Sequence, residues 1–407
     1  MVSLKRNPVA SILSLAKHRA RKALGKVKYR ALADQGHLPQ WMRQLVVASI
    51  LSLAKHRARK VLGKVKYRAL ADQDHLPQWM RQMVGEELAV FTNTGITPHL
   101  LDAAEECYKQ NYRDYFVRYT VKSGRLTHRG AVAQYSGYIA ERFHIMTAVF
   151  SSVASGLPDF EWVVYLGDGF TGWSRDCPAP VFGFSKHKRL DRTALLLPDP
   201  MTLVEGRALR NQVAAGNAAH PWTSKLDMAF WRGATTGGPH TLENYQSNVR
   251  FRLVDLARTQ PELIDAAFTE FHSCDQAVQN LVRENGSLAE FVDIASHMRY
   301  KYLIVVDGFT SPWPRFFWGL HTNSVLIRQD SDILGWVDSA ATPEVHYISV
   351  KTDLSDLIDK LNWAKNNDET MKLVSTRAQE LAAQDLTQDN ILGFVRFYLA
   401  SYAKLFG

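Results

Sequence analysis

Cysteine is scarce in this chain. Three occur in 407 residues, Cys107, Cys177 and Cys274, far apart and with no CxxC pair. A disulfide framework and a cysteine zinc site are excluded, and a reducing compartment is expected. No apolar run approaches the ~20 residues that cross a bilayer as a helix. Signatures of common chemistries are missing too. The chain has no GxxxxGKS/T loop, no HExxH and no GxSxG. P-loop hydrolysis, zincin chemistry and a serine elbow therefore find no support. The fourteen histidines show no paired-ligand spacing.

Acidic residues are missing from one region. Residues 1–84 hold 18 of the 49 lysines and arginines but 3 of the 40 acidic residues, a net charge of +15. The remainder carries −6, so the overall +9 belongs to the N-terminal segment alone. That segment is a tandem duplication. Residues 9–46 recur as 47–84, differing only at Ala23/Val61, Gly36/Asp74 and Leu45/Met83. Val9, Ile12, Leu13, Ala16, Ala20, Ala23, Leu24 and Val27 share one helical face, with lysine and arginine elsewhere. Pro39 and Pro77 end or bend each helix. Three readings stay open. The helices lie on an anionic membrane, bind nucleic acid through phosphates, or form a solvated extension with one copy docked on the body.

From residue 85 the pattern turns α/β. Helices are expected over 97–110, 130–153, 248–259 and 261–268, and near 369–385 and 387–405. A hairpin is expected around Ser123-Gly124, and strands over 162–166, from 227, over 303–306, over 324–327 and over 346–350. Asp353 is expected to cap the next helix, with Asp356 in its first turn. The organisation expected is an extension (1–84), two α/β halves (85–225 and 226–385) facing a cleft, and a C-terminal helix (386–407).

Several loops can carry chemistry. Asp168 stands between two glycines at a strand end, as a general base or as a turn residue bonded to its own backbone. Arg232, followed by Gly233, Ala234 and Thr235, reads as an anion clamp or as a salt-bridged turn. The run from Phe309 through Thr310, Ser311 and two prolines to Arg315 suits a phosphate. FGFSK, with Ser185, is a weaker signal. Asp307 is a second candidate base. Asp330-Ser331-Asp332 is a D-x-D, a pattern that arises readily by chance.

Four blocks resemble glycosyltransferase family 90: PVFGFSK (180–186), FWRGATTG (230–237), the stretch from His297 to Gln329, and VHYISVKTDLSDL (345–357). The resemblance covers about residues 95–385 and leaves out the duplication. It implies a GT-B-like fold, two Rossmann-like domains facing a cleft, and inverting transfer from a UDP-sugar. By motif position it implies Asp168 as base, Ser185 as a donor contact, and Arg232 with Gly233 and Thr235 on the diphosphate. Phe309, Thr310, Ser311 and Arg315 would wrap the donor. GDG stands where animal members carry an Arg-Asp pair, and the Gly308–Arg315 loop is one residue longer, as in the bacterial branch.

No metal or cofactor is expected, because Arg232 and Arg315 supply cations for the leaving UDP. The acceptor expected is a saccharide, such as a lipid-linked lipopolysaccharide core. The location expected is cytoplasmic, peripheral on the inner membrane through residues 1–84. Nucleic acid is a disfavoured partner. A protein O-glucosyltransferase-like enzyme and a non-catalytic scaffold are the alternatives.

Overall fold

The computed structural model describes residues 75–108, 115–130 and 137–407. Most of the duplication therefore lies outside the described residues. Helix α1 (Gln78–Leu88) opens the described chain. Pro77 sits at its N-cap, where a proline costs no helix hydrogen bond. Met80, Met83, Val84 and Leu88 form its buried stripe. Helix α2 (Pro98–Tyr108) follows, with Thr97 Oγ1 accepting from Leu100 N at 3.2 Å.

Strands β1 (Phe116–Lys122) and β2 (Arg125–Gly130) make the expected hairpin. Its two-residue turn has φ of 50° at Ser123 and 73° at Gly124, the left-handed pair that matches strand twist. Gly130 thus ends a strand and does not start a helix. Helix α3 (Gly137–Val153) begins later. Strands β3 (Phe160–Tyr165), β4 (Val181–Gly183), a short β5 (Lys186–His187) and β6 (Ala194–Leu196) complete this half. The sheet order is β2-β1-β3-β4-β6, with β3, β4 and β6 parallel. Trp162 is fully buried between Tyr119 and Phe160, stacked at 5.4 and 4.8 Å.

Asp199 caps α4 (Pro200–Ala219), accepting from Thr202 N at 2.9 Å, and this helix leads into the second half. There β7 (Leu226–Ala234), α5 (Val249–Thr259), β8 (Ile264–Glu270), α6 (Gln276–Glu284), α7 (Ile294–His297) and β9 (Tyr300–Val305) alternate. Then come α8 (Trp313–Gly319), β10 (Val325–Gln329), the short β11 (Ile333–Leu334) and β12 (Ile348–Val350). Helices α9 (Leu357–Lys365), α10 (Asp368–Asp385) and α11 (Gln388–Ala403) finish the chain.

Two expectations fail here. Residues 264–270 form β8, not a helix. Three neighbouring residues of this strand, Ala266, Ala267 and Phe268, are all buried, so no period-2 alternation marks it in the sequence. Asp353 does not cap α9. It bonds Ser355 N at 3.0 Å, and the helix starts after Asp356.

The second sheet is parallel throughout and ordered β12-β10-β9-β7-β8. This is a doubly wound order whose direction reverses between β7 and β9. Ligands of such sheets bind at that reversal, outside the carboxyl ends of the strands. One apolar core crosses the junction of the halves, joining Leu303, Val305 and Phe316 to the first sheet. Helix α11 returns to the first sheet, where Tyr398 and Tyr402 pack on Phe182 at 5.0 and 5.4 Å. Among the described residues no helix is long and apolar enough to cross a membrane.

Candidate functional site

The sheet reversal brings together the loops after β7 and β9. Gly237, at φ +99°, lets them touch: a Cβ there would stand 3.0 Å from Gly308 O and 2.6 Å from Asn248 Nδ2. Three arginines gather at this point. Arg232 Nη2 pairs with Asp265 Oδ1 at 2.6 Å, and its Nη1 donates to Trp231 O at 2.9 Å. Its buried Nε has no partner among the described residues. Arg232 is thus salt-bridged, with a carboxylate already answering its charge.

Arg315 and Arg250 differ from it. Arg315 Nη2 donates to Arg232 O at 2.5 Å, while its buried Nη1 has no partner among the described residues. Arg250 Nε and Nη1 donate to Asp307 O at 2.6 Å and Ala234 O at 2.8 Å. Among the described residues no carboxylate forms an ion pair with either side chain. Burial holds the Arg315 guanidinium down at about 10. Burial first, and the Arg315 charge second, hold Arg250 at about 9. These are two largely buried cations whose side-chain hydrogen bonds go to backbone carbonyls, with the Asp307 charge partly offsetting that of Arg250.

Sequence reasoning missed Arg250. Asn248 caps α5 by accepting from Arg250 N at 2.9 Å, which sets the arginine in the first turn of the helix. A cation in the first turn opposes the helix dipole, and that local misfit was the available signal.

The first half supplies the carboxylate. Asp168 Oδ1 accepts from Arg142 Nη2 at 2.6 Å, and Arg142 Nη1 donates to Leu166 O at 2.9 Å. Arg142 is buried, and its guanidinium lies over the rings of Tyr138 and Trp313 at 4.6 and 4.9 Å. The Asp168 side chain keeps 30% exposure, with Oδ1 fixed by Arg142. Arg142 was also missed, because only the fold brings α3 under the Asp168 loop.

The loops of the two halves meet directly. Thr310 Oγ1 donates to Asp168 O at 3.2 Å, and Trp313 Nε1 donates to Ser185 Oγ at 2.9 Å. Phe170 N donates to Ser185 O at 2.7 Å, tying the Asp168 loop to the FGFSK block. Gly169, at φ +147°, makes that contact: a Cβ there would fall 2.6 Å from Ser185 Cβ. Gly169→Ala is expected to cost about 1–3 kcal/mol through strain and overpacking. It should also displace Asp168. A urea melt with an activity assay checks both.

Other expected residues stand as follows. Gly233 is the penultimate residue of β7, and a Cβ there would meet the Trp231 ring at 2.6 Å. The Thr235 hydroxyl is turned away from the cluster. It donates to His272 O at 2.9 Å and accepts from His272 N at 2.7 Å, so it supports the loop. Phe309 is exposed, whereas Thr310 and Ser311 are buried. Asp307 accepts from the Ser331 hydroxyl, and burial lifts its carboxyl to about 6. In the D-x-D, Asp332 is held by Lys188 at 3.1 Å and Arg189 at 3.2 Å. A cavity of about 850 Å³ is lined by Gly237, His240, Asn248, Arg252, Gln329 and Lys351 among others. It adjoins the arginine cluster at Gly237 and Asn248, and none of the expected site residues lines it.

The buried titrating groups give a pH dependence. Burial, then Arg315, depresses His297 to about 4, and burial, then Arg210, depresses His321 to about 3. Between those values and about 6.5 the folded state binds fewer protons than the unfolded, so stability falls as pH falls through that window. Asp307 acts oppositely: its raised carboxyl costs stability as pH rises from about 4 to 6. Burial also depresses His240 and His346 and raises Asp199 and Asp338, so four histidines stand against three aspartates, and Tm is expected to drop between pH 7 and pH 4.5. Asp307→Asn should raise Tm at pH 7.5 and steepen the acid drop. Thermal melts across pH check this.

Comparison with known proteins leads to the same loops. Over residues 71–407 the chain matches the family described as Glycosyl transferase family 90. It is 30% identical over 257 residues to Protein O-glucosyltransferase 2 of Danio rerio, covering 61% of this chain and 48% of that one. Protein O-glucosyltransferase 3 of Homo sapiens is 28% identical over 306 residues, 72% of this chain and 55% of that one. The chain spans about half the length of these relatives. Among solved structures, HepE of Anabaena in complex with UDP and glucose aligns at 10% identity and TM-score 0.36, covering 64% of this chain and 67% of that one. The family match covers both sheets and every loop of the cluster, and the chain belongs to glycosyl transferase family 90.

Proposed function

We propose that the protein transfers a sugar from a UDP-sugar to a hydroxyl acceptor with inversion, using Asp168 as base. One observation carries the reading. Arg250 and Arg315 are largely buried at the sheet reversal and have no carboxylate partner among the described residues. Buried cations are costly without an anion, and a diphosphate supplies one in charge and size. Arg232, already paired with Asp265, orients this pair by accepting from Arg315 through its carbonyl.

The reaction balances with one base. The acceptor oxygen attacks the anomeric carbon from the face opposite the leaving group. Asp168 takes the hydroxyl proton, the bond from C1 to the β-phosphate oxygen breaks, and UDP leaves with the electron pair. The negative charge that develops on UDP is met by Arg315 and Arg250 in place from the start. Arg142 holds Oδ1, so that Oδ2 is presented to the acceptor. In this reading residues 226–385 hold the donor and 85–225 face the acceptor. Helix 386–407 braces the acceptor side.

The acceptor we propose is a surface saccharide, such as a lipid-linked lipopolysaccharide core, with the +15 segment drawing the enzyme to anionic lipid at the cytoplasmic face. A protein hydroxyl is the second reading, favoured by the names of the relatives. A transfer assay decides. UDP-glucose, UDP-galactose and UDP-xylose are offered with a core oligosaccharide or a serine-bearing protein. Sugar incorporated into the oligosaccharide supports the first reading, and into the protein the second. No incorporation into either, with UDP release absent, contradicts transfer.

A further inference from the structure

The part of the duplication that the structure describes is a docked segment. Leu76, Met80, Met83, Val84 and Leu88 are buried in the core of the first half. Trp79 lies against Trp336 at 5.8 Å and Phe394 at 6.4 Å, and its Nε1 donates to Asp385 Oδ2 at 2.9 Å. Residues 75–84 thus fill a groove between β6, α11 and the Trp336 turn. Residues 37–46 repeat that sequence with one change, Leu45 for Met83. Swapping one unbranched or γ-branched apolar side chain for the other is mild in a core. The groove therefore has two candidate occupants in one chain.

The two copies differ in the residues just beyond them. The second copy runs on into Gly85-Glu86-Glu87-Leu88, and the first into Val47-Ala48-Ser49-Ile50. Gly85 and Glu86 are exposed, so Val47 and Ala48 would fit there, and Ile50 would replace Leu88 conservatively. Glu87 is the exception. Its carboxylate pairs with the buried Lys186 ammonium, accepts from Leu196 N at 2.8 Å, and accepts from the Tyr398 hydroxyl. Serine at position 49 reaches none of these. It would leave Lys186 with Ala194 O at 3.0 Å as its remaining partner. A buried ammonium stripped of its carboxylate is heavily penalised. Docking the first copy would also extrude residues 51–88 as a loop, but that entropy grows only slowly with length.

We propose that the groove accepts residues 38–50 of the same chain as an alternative occupant, and that Glu87 selects the second copy. The duplication then creates a two-register switch at the base of the first half, biased by one carboxylate.

The experiment uses four full-length chains: wild type, Glu87→Ser, Ser49→Glu and the double variant. Limited trypsinolysis with mass spectrometry follows the equivalent arginines, Arg81 and Arg43. In the wild type Arg81 is expected to be protected and Arg43 cut. In the double variant the order should invert, with each cleavage rate changing about tenfold or more. Continued protection of Arg81 in the double variant overturns the proposal. So does protection of Arg43 found only in dimers, which would seat the first copy in a neighbouring molecule. A second pair guards against misfolding. Deleting 51–88 joins Ile50 to Ala89 and forces the first copy into the groove. That chain should melt well below the wild type, and adding Ser49→Glu should restore most of the loss. Failure of the restoration also overturns the proposal. Neither readout depends on the transfer reaction.

Discussion

Asp168→Asn is expected to lower sugar transfer by about 10²–10⁴-fold, the usual contribution of a positioned general base, while UDP affinity stays within a few-fold. The substitution keeps the shape and one acceptor for Arg142 but removes the basic oxygen. The backbone ties of this loop do not involve the carboxylate: Thr310 bonds Asp168 O and Phe170 bonds Ser185 O. The loop should hold its place, so the loss should appear in kcat. Arg142→Leu gives the complementary result. It frees the carboxylate from its Oδ1 anchor, and activity should fall less while the pH profile moves. Equal activity of wild type and Asp168→Asn would remove Asp168 from its role and turn attention to Asp307, whose carboxyl sits at about 6.

Arg315→Met is expected to weaken UDP binding by about 10–150-fold, the value of one or two charge-assisted hydrogen bonds. Its second effect has the opposite sign. Arg315 and Arg250 repel each other in the unliganded protein, as the depressed Arg250 value reflects. Removing one cation relieves both the repulsion and a desolvated charge. The free variant should therefore melt no lower than wild type, while the rise in Tm on adding UDP shrinks. A merely structural arginine would behave otherwise: Tm would fall and ligand response would persist. Arg250→Met should show the same pattern with a smaller gain in Tm, because its two carbonyl acceptors, Ala234 O and Asp307 O, are left unpaired.

The features legible in the sequence were local ones. The Ser123-Gly124 turn, the Asn248 start of α5 and the strand–loop–helix around Arg315 carry their signals within a few residues. Asp168 and the Arg232 turn were found because glycines flank a charged residue at a strand end. β8 was misread because its middle residues, Ala266 to Phe268, are all buried and show no alternation. Its alanines, Ala266 and Ala267, imitate a helix. Arg142 and Arg250 were missed for a different reason. Their partners lie 16 to 57 positions away, so their roles exist only once the chain is folded. The Thr235 hydroxyl meets His272, 37 residues on, a partner that the local pattern does not show. Glu87 belongs with the missed arginines: an acid in the last turn of an amphipathic helix gives no hint that Lys186 and Tyr398 wait for it.

The central claim is that the arginine pair at the β7–β9 reversal holds a nucleotide diphosphate. Calorimetric titration of wild type and Arg315→Met with UDP, using UMP and uridine as controls, tests it most directly. The account predicts that UDP binds wild type at least about tenfold more tightly than UMP, and that this preference collapses in Arg315→Met. Equal binding of UDP and uridine, or an unchanged UDP affinity in the variant, would contradict it.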